Sequence, residues 1–122
     1  DLVLREMAQL FKSRTRKTDL LCRIGGDEFA ILLGDTQEMP ARDRALVIQR
    51  SVAELEIHMP GVVMTVTVSM GGTMFKRGDT ADALLKRADE SLYIAKENGR
   101  NRLAWMGELR PSEDASPAVA KT

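Results

Sequence analysis

Two apolar runs, 19–24 and 29–33, are separated only by Gly25-Gly26-Asp27-Glu28, and this arrangement restricts the fold more than any other feature of the chain. Runs of this length around a glycine-bearing tetrapeptide predict a hairpin of two buried strands. Taken alone, the tetrapeptide has two readings. Glycines permit positive φ and acidic residues are common at exposed tips, so it can be a plain turn. Glycines also let a phosphate or ribose approach the backbone, and adjacent carboxylates offer hard oxygen ligands to a divalent cation.

Around the hairpin the apolar periodicity changes. Leu4, Met7 and Phe11, with Val3 and Leu10 beside them, recur at helical spacing opposite Arg5, Glu6 and Lys12, with Asp1 placed as the N-cap. A second helix is expected over about 40–56, where Pro40 suits the first turn and Ala45, Ile48, Val52 and Leu55 face a core. Met64, Val66, Val68 and Met70 alternate with polar residues, which predicts a strand that Gly71-Gly72 weakens or bends. A third helix, N-capped by Thr80, carries Leu84, Ala88, Leu92 and Ala95 on one stripe and stops at Gly99. A short strand over 102–105 follows. The polar, proline-containing stretch from Glu108 onward reads as a flexible tail, dividing the chain into a domain over 1–106 and a tail over 107–122. The order of elements predicts an α+β fold, an antiparallel-rich sheet with helices packed on it.

Eighteen Lys plus Arg balance eighteen Asp plus Glu, so no overall field draws the 122-residue chain to nucleic acid or to an anionic membrane. Any basic site is local. Cys22 is the only cysteine, which excludes an internal disulfide and a multi-cysteine zinc cluster and fits a reducing compartment. The expectation is a cytoplasmic domain, with any membrane anchor lying in regions outside this chain. His58 is expected to be solvated near a helix end, Cys22 to be inert in a buried strand, and Trp105 to cover a sheet edge or core rim.

Three separated segments carry a family resemblance. Arg23-Ile24-Gly25-Gly26-Asp27-Glu28-Phe29-Ala30-Ile31-Leu32-Leu33 resembles the signature hairpin of the GGDEF domain, the module of bacterial diguanylate cyclases. Val66-Thr67-Val68-Ser69-Met70-Gly71 is similar to the family's later central strand, and the stretch 88–101, from Ala88 to Asn101, to its C-terminal helix and following turn. The resemblance implies a palm-like, nucleotidyl-cyclase fold with a ferredoxin-like core. It also implies the condensation of two GTP molecules into the second messenger cyclic di-GMP and pyrophosphate, each GTP held by one of two facing domains of a homodimer. Mg2+ or Mn2+ is the implied cofactor. On this resemblance Asp27 and Glu28 are metal-binding and catalytic, while Gly25 and Gly26 admit the nucleotide. Lys96 and Arg100 grip terminal phosphates, although two cations at a helix C-terminus also simply complement the helix dipole. Asp1 aligns with a guanine-contacting aspartate. A sensory or regulatory domain is implied N-terminal to the module, and no nucleic acid partner.

Complete domains of this family open with a strand that carries a metal-binding aspartate and a helix that follows it. Neither has a counterpart here, so the expected fold lacks its first strand and helix, leaves a gap in the sheet, and is incomplete for catalysis by this chain alone. Arg16-Lys17-Thr18-Asp19 matches the family's Arg-x-x-Asp motif for product inhibition, with Arg16 and Asp19 set to meet a guanine and Arg50 as a secondary contact. An isolated surface ion pair is the plain alternative. Two other functions remain open at this level, a non-catalytic cyclic di-GMP receptor and an α+β interaction module.

Overall fold

Phe29, Ile31 and Leu33 project to one side of a nine-residue strand and Ala30 and Leu32 to the other, so both faces of the sheet must be covered. The computed structural model describes residues 2–107 and 115–122. In chain order it runs α1 (Leu2–Ser13), β1 (Leu20–Gly25), β2 (Glu28–Thr36), α2 (Glu38–Glu54), β3 (Glu56–Met59), β4 (Val62–Thr65), β5 (Met70–Met74), α3 (Ala81–Glu97), β6 (Leu103–Met106) and β7 (Ser116–Lys121). Five strands form one sheet in the order β1-β2-β7-β5-β6, antiparallel except for the β5–β6 pair.

On one face, Met7 and Phe11 of α1 and Ala41, Ala45, Ile48 and Val52 of α2 pack against Phe29, Ile31, Leu33 and Met70. The Phe11 and Phe29 rings meet edge to face with centroids 5.3 Å apart. On the other face Ala88 of α3, with Leu84 beside it, covers Ala30 and Val119. Here the glycine pair has a role beyond bending a strand. A Cβ on Gly71 would lie 2.7 Å from Leu92 Cα, and one on Gly72 would lie 2.6 Å from Trp105 Cε3. The two glycines let α3 and the indole close on opposite faces of β5. Ser91 Oγ, buried on the inner side of α3, donates to Gly72 O at 3.2 Å. Thr80 caps α3 as expected, accepting from Ala83 N at 3.1 Å.

Four expectations are corrected. The flexible tail over 107–122 does not hold for its last part: Ser116–Lys121 is a central strand, paired antiparallel with β2 on one side and β5 on the other. Composition misleads there because Ala118, Val119 and Ala120 are small enough to be buried between two layers of helices. The expected gap is therefore closed, since β2 and β5 both spend their inner backbone groups on β7. The hairpin is not uniformly buried, for β1 is an edge strand with Leu20 and Ile24 about half exposed, and Cys22 is only partly covered. The strand expected over 64–70 is divided. Val62–Thr65 pairs with Glu56–Met59 in a separate two-stranded hairpin through a turn at Gly61, and only from Met70 does the chain join the main sheet. Val66 and Val68 keep their inward alternation, and among the described residues no strand pairs with them. His58 accordingly lies on β3, exposed, with Nε2 3.4 Å from Glu56. Among the described residues no helix is long and apolar enough to cross a membrane.

Candidate functional site

Gly26 adopts φ +49°, the left-handed conformation that turns β1 into β2. Arg23, itself exposed, holds this turn by donating from Nε and Nη2 to Gly26 O at 2.8 and 2.6 Å. A Cβ on Gly25 or Gly26 would meet nothing within 4 Å, so the tip is bare and open to a ligand. Asp27 and Glu28 follow directly, both exposed.

The second half of the site comes from the end of α3. Gly99 (φ +115°), Arg100 (φ +61°) and Asn101 (φ +46°) form a left-handed run that stops the helix and swings Arg100 off its axis. Arg100 N donates to Ala95 O at 3.0 Å. Gln49 of α2, 4% exposed, locks the turn by donating from Nε2 to Asn101 Oδ1 at 2.8 Å, and it lies 3.5 Å from Val68 O. Nothing in the local sequence singles out Gln49, because its partners are distant along the chain.

These two halves meet. Asp27, Glu28, Lys96 and Arg100 all line one open depression of about 460 Å³, together with Val66–Ser69, residues of α1 and Thr122. Two carboxylates thus face two cations across a floor of half-buried valines. The residues suit a small divalent cation in part: Asp27 and Glu28 supply hard oxygens, and such an ion binds through one or two carboxylates with water and phosphate oxygens completing its shell. Among the described residues no group of three or more His, Cys, Asp or Glu converges on a single point. Asp1 lies outside the described residues.

Arg16 and Asp19 form a second, separate arrangement. The Asp19 side chain is fully buried, although it stands in a surface loop. Its carboxylate accepts from Arg16 N at 2.7 Å, from Gly34 N at 3.1 Å and from Arg44 Nη2. Burial pushes the Asp19 carboxyl up, but the hydrogen bonds from Arg44, Arg16 N and Gly34 N outweigh it and hold the group below the usual carboxylate range. Arg16 remains half exposed, its Nη2 donating to Gly34 O at 2.9 Å and lying 3.6 Å from Asp19 Oδ1. In this conformation Asp19 is spent on the protein, and Arg16 is the member of the pair that faces solvent. The α2 arginine that reaches Asp19 is Arg44, not Arg50. Arg50 lines a different depression with Gln49, Asn101 and Arg102.

A largely antiparallel sheet thus brings carboxylates on a hairpin tip and cations from a helix end to one depression. The chain belongs to the GGDEF domain family: the family model described as diguanylate cyclase, GGDEF domain, matches residues 1–102. It is similar to Diguanylate cyclase A of Treponema denticola, 39% identical over 104 residues that cover 84% of this chain and 28% of that protein. It is also similar to the response regulator PleD of Caulobacter vibrioides, 41% identical over 112 residues, 83% of this chain and 23% of that protein. Among solved structures, diguanylate cyclase SiaD from Pseudomonas aeruginosa, crystallised with its activator SiaC, matches with a TM-score of 0.81 at 34% identity, over 85% of this chain and 40% of that one. The chain therefore spans about a quarter of the length of these two curated relatives.

Proposed function

We propose that this chain is the nucleotide-binding part of a diguanylate cyclase that joins two GTP molecules into cyclic di-GMP and releases pyrophosphate. The observation that carries the reading is the convergence of Asp27 and Glu28 from the hairpin with Lys96 and Arg100 from the far end of the chain on one depression. Lys96 and Arg100 neutralise the terminal phosphates, and as the leaving group departs they stabilise its growing charge. Gly25 and Gly26 admit the nucleotide to the turn, where a side chain would stand in its way. Glu28, exposed at the tip, is assigned to take the proton of the 3′-hydroxyl as that oxygen bonds to the α-phosphorus of the other GTP and the bond to pyrophosphate breaks. A divalent cation such as Mg2+ or Mn2+, held by Asp27 and Glu28, would offset the charge on the reacting phosphate.

Each depression holds one nucleotide, so the reaction takes two domains face to face, a homodimer at least while turning over. Asp1 is assigned to the guanine. The substrate places the domain in the cytoplasm, where GTP is made, and the input signal is assigned to a domain N-terminal of this module. The decisive experiment is Asp27→Ala and Glu28→Ala in the full-length protein with GTP conversion followed by chromatography. Both should lose product formation by at least a hundredfold while keeping the parent's circular dichroism, since both side chains are exposed. Undiminished turnover by both would sink the assignment.

A regulatory reading is favoured by one observation, the half-exposed guanidinium of Arg16 already oriented by Gly34 O and Asp19. We assign Arg16 to the guanine of cyclic di-GMP as a product-inhibition contact, with Asp19 holding it in place through the Arg44-anchored loop.

A further inference from the structure

β1 is an edge strand, and its pairing with β2 leaves a second row of backbone groups free. Which residues carry that row follows from β2. Phe29 turns both its backbone groups away from β1, its N donating to Thr122 Oγ1 and its O accepting from Thr122 N, each at 2.9 Å. Gly34, an odd number of residues further on, turns both the opposite way, its N donating to Asp19 Oδ1 and its O accepting from Arg16 Nη2. Hydrogen bonding alternates along an antiparallel pair, so Leu20 and Cys22, opposite Leu32 and Ala30, are the residues bonded to β2. Leu21 and Arg23 therefore present their N–H and C=O groups outward, and among the described residues no backbone group meets them.

The edge lacks the usual protection against another strand. Exposed edges are blunted by proline, by lysine or by a bulge within the pairing stretch. Residues 20–23 include neither proline nor lysine, and the register shift lies beyond them, between Arg23 and Gly25. Side chains alternate as well: Leu21 packs against the core on the α1 side, which sends Leu20, Cys22 and Ile24 to the other face. There α3 lies over β5, β6 and β7, and Leu20 and Ile24 stay 56% and 46% exposed. Free backbone and a bare apolar row thus occupy one strand.

We infer that the outer edge of β1 pairs antiparallel with the same edge of a second copy of this chain, about a two-fold axis at Cys22. Two conditions set the register. Leu21 and Arg23 own the free backbone groups, so these residues must meet each other. Arg23, the one charged side chain of the strand, must not meet its own copy, since like charges directly opposite repel. An axis at Cys22 satisfies both: Leu21 of each copy bonds to Arg23 of the other, and Leu20 lies against Ile24 of the other. The two Cys22 side chains then face each other in a pair without hydrogen bonds, where side chains come closest. Antiparallel pairing also sends the two hairpin turns to opposite ends, roughly 27 Å apart at about 3.4 Å per residue. This dimer is distinct from the face-to-face pair of the proposed reaction, and its formation does not depend on the nucleotide reading.

Sedimentation equilibrium of the purified chain under reducing conditions should show a dimer that grows with protein concentration, weak because so short an edge buries little area. Leu20→Asp should raise its dissociation constant roughly tenfold, since the two-fold axis repeats the contact of Leu20 with Ile24 and the change is felt twice. Leu21→Pro should abolish the dimer while leaving the β1–β2 ladder whole, because the N–H it removes is an outward one. Cysteine cross-linking with diamide as oxidant reads the register. The parent should give a dimer linked through Cys22, whereas in a Cys22→Ser background Leu20→Cys and Ile24→Cys should each stay monomeric alone and cross-link when mixed. A chain that remains monomeric at every concentration would overturn the inference, as would dimerisation unchanged by Leu20→Asp. Self-linking of Leu20→Cys at the parent's rate would overturn the register and the inference with it, whether or not Leu21→Pro folds.

Discussion

Asp19→Ala should be one of the most damaging single changes in this chain, although it removes only a few atoms from a loop. The carboxylate is fully buried and answers three donors, the Arg44 guanidinium, Arg16 N and Gly34 N. Breaking a buried charge pair costs about 3–5 kcal/mol. Arg44 retains 24% exposure and can partly rehydrate, so about 2 kcal/mol is appropriate for its share. The partly buried Gly34 N–H left without a partner adds about 1 kcal/mol. The sum, about 3 kcal/mol, corresponds to a fall in Tm of roughly 12 °C for a chain of this size. Urea unfolding followed by circular dichroism measures it directly, and Asp19→Asn should behave almost as badly because its amide would face Arg44 with a donor. The Asp19 carboxyl is held below its ordinary value in the fold. Its contribution is therefore complete above about pH 4 and is lost as pH falls through the lowered folded value, a dependence that Asp19→Asn should lack. A variant within about 0.5 kcal/mol of the parent at neutral pH would refute the account of Asp19 as a buried staple.

Three further outcomes are expected. Arg16→Ala should weaken cyclic di-GMP binding at least tenfold by calorimetry and relieve product inhibition, while costing under about 1 kcal/mol because the side chain is half exposed; unchanged affinity would return Arg16 to an ordinary surface residue. Gly71→Ala should destabilise the fold by about 3 kcal/mol, since its Cβ would press on the backbone of α3, and a neutral effect in thermal melting would show that the helix can retreat at no cost. Asp79, held by a two-pronged pair with Arg87 at 3.0 and 2.6 Å, has its carboxyl lowered to about 2 chiefly by that hydrogen bonding. Its contribution is present above about pH 4 and disappears as pH falls through about 2. Denaturant midpoints between pH 2 and 5 should therefore slope less for Asp79→Asn than for the parent.

What was legible in the fold is what repeats locally. The stripes of α1, α2 and α3 and the alternation in β2 each place a residue by its neighbours within a turn or two, and these segments fold as their periodicity requires, except that α2 stops at Glu54, with Leu55 extended as its C-cap and Glu56 already in β3. The strand expected over 64–70 shows the limit of that logic. Val66 and Val68 alternate inward as a strand would, yet strand identity also needs a partner across the ladder, and partners are not written in a local pattern. Ser116–Lys121 shows the converse. Proline, alanines and a lysine argue locally for a tail, and only the pairing demand of β2 and β5 makes the segment a central strand.

The candidate site divides along the same line. Asp27, Glu28, Lys96 and Arg100 were readable because each belongs to a contiguous motif whose order along the chain could be compared, and the fold then brings the two motifs to one depression. Arg44, Gln49 and Lys121 were not, because the partners they reach lie far away in sequence: Asp19 for Arg44, Asn101 for Gln49, and Asp89 and Glu28 for Lys121. Such residues have no pattern of their own. A guanidinium, amide or ammonium that the fold covers finds its partner only once the chain has closed, so the pairing cannot be read from a local pattern. The residues proposed to meet a ligand thus belong to contiguous motifs, whereas Arg44 and Gln49, which hold the neighbouring loop and turn, are consequences of packing. Substitutions at Arg44 should accordingly lower stability without altering which nucleotide the site accepts.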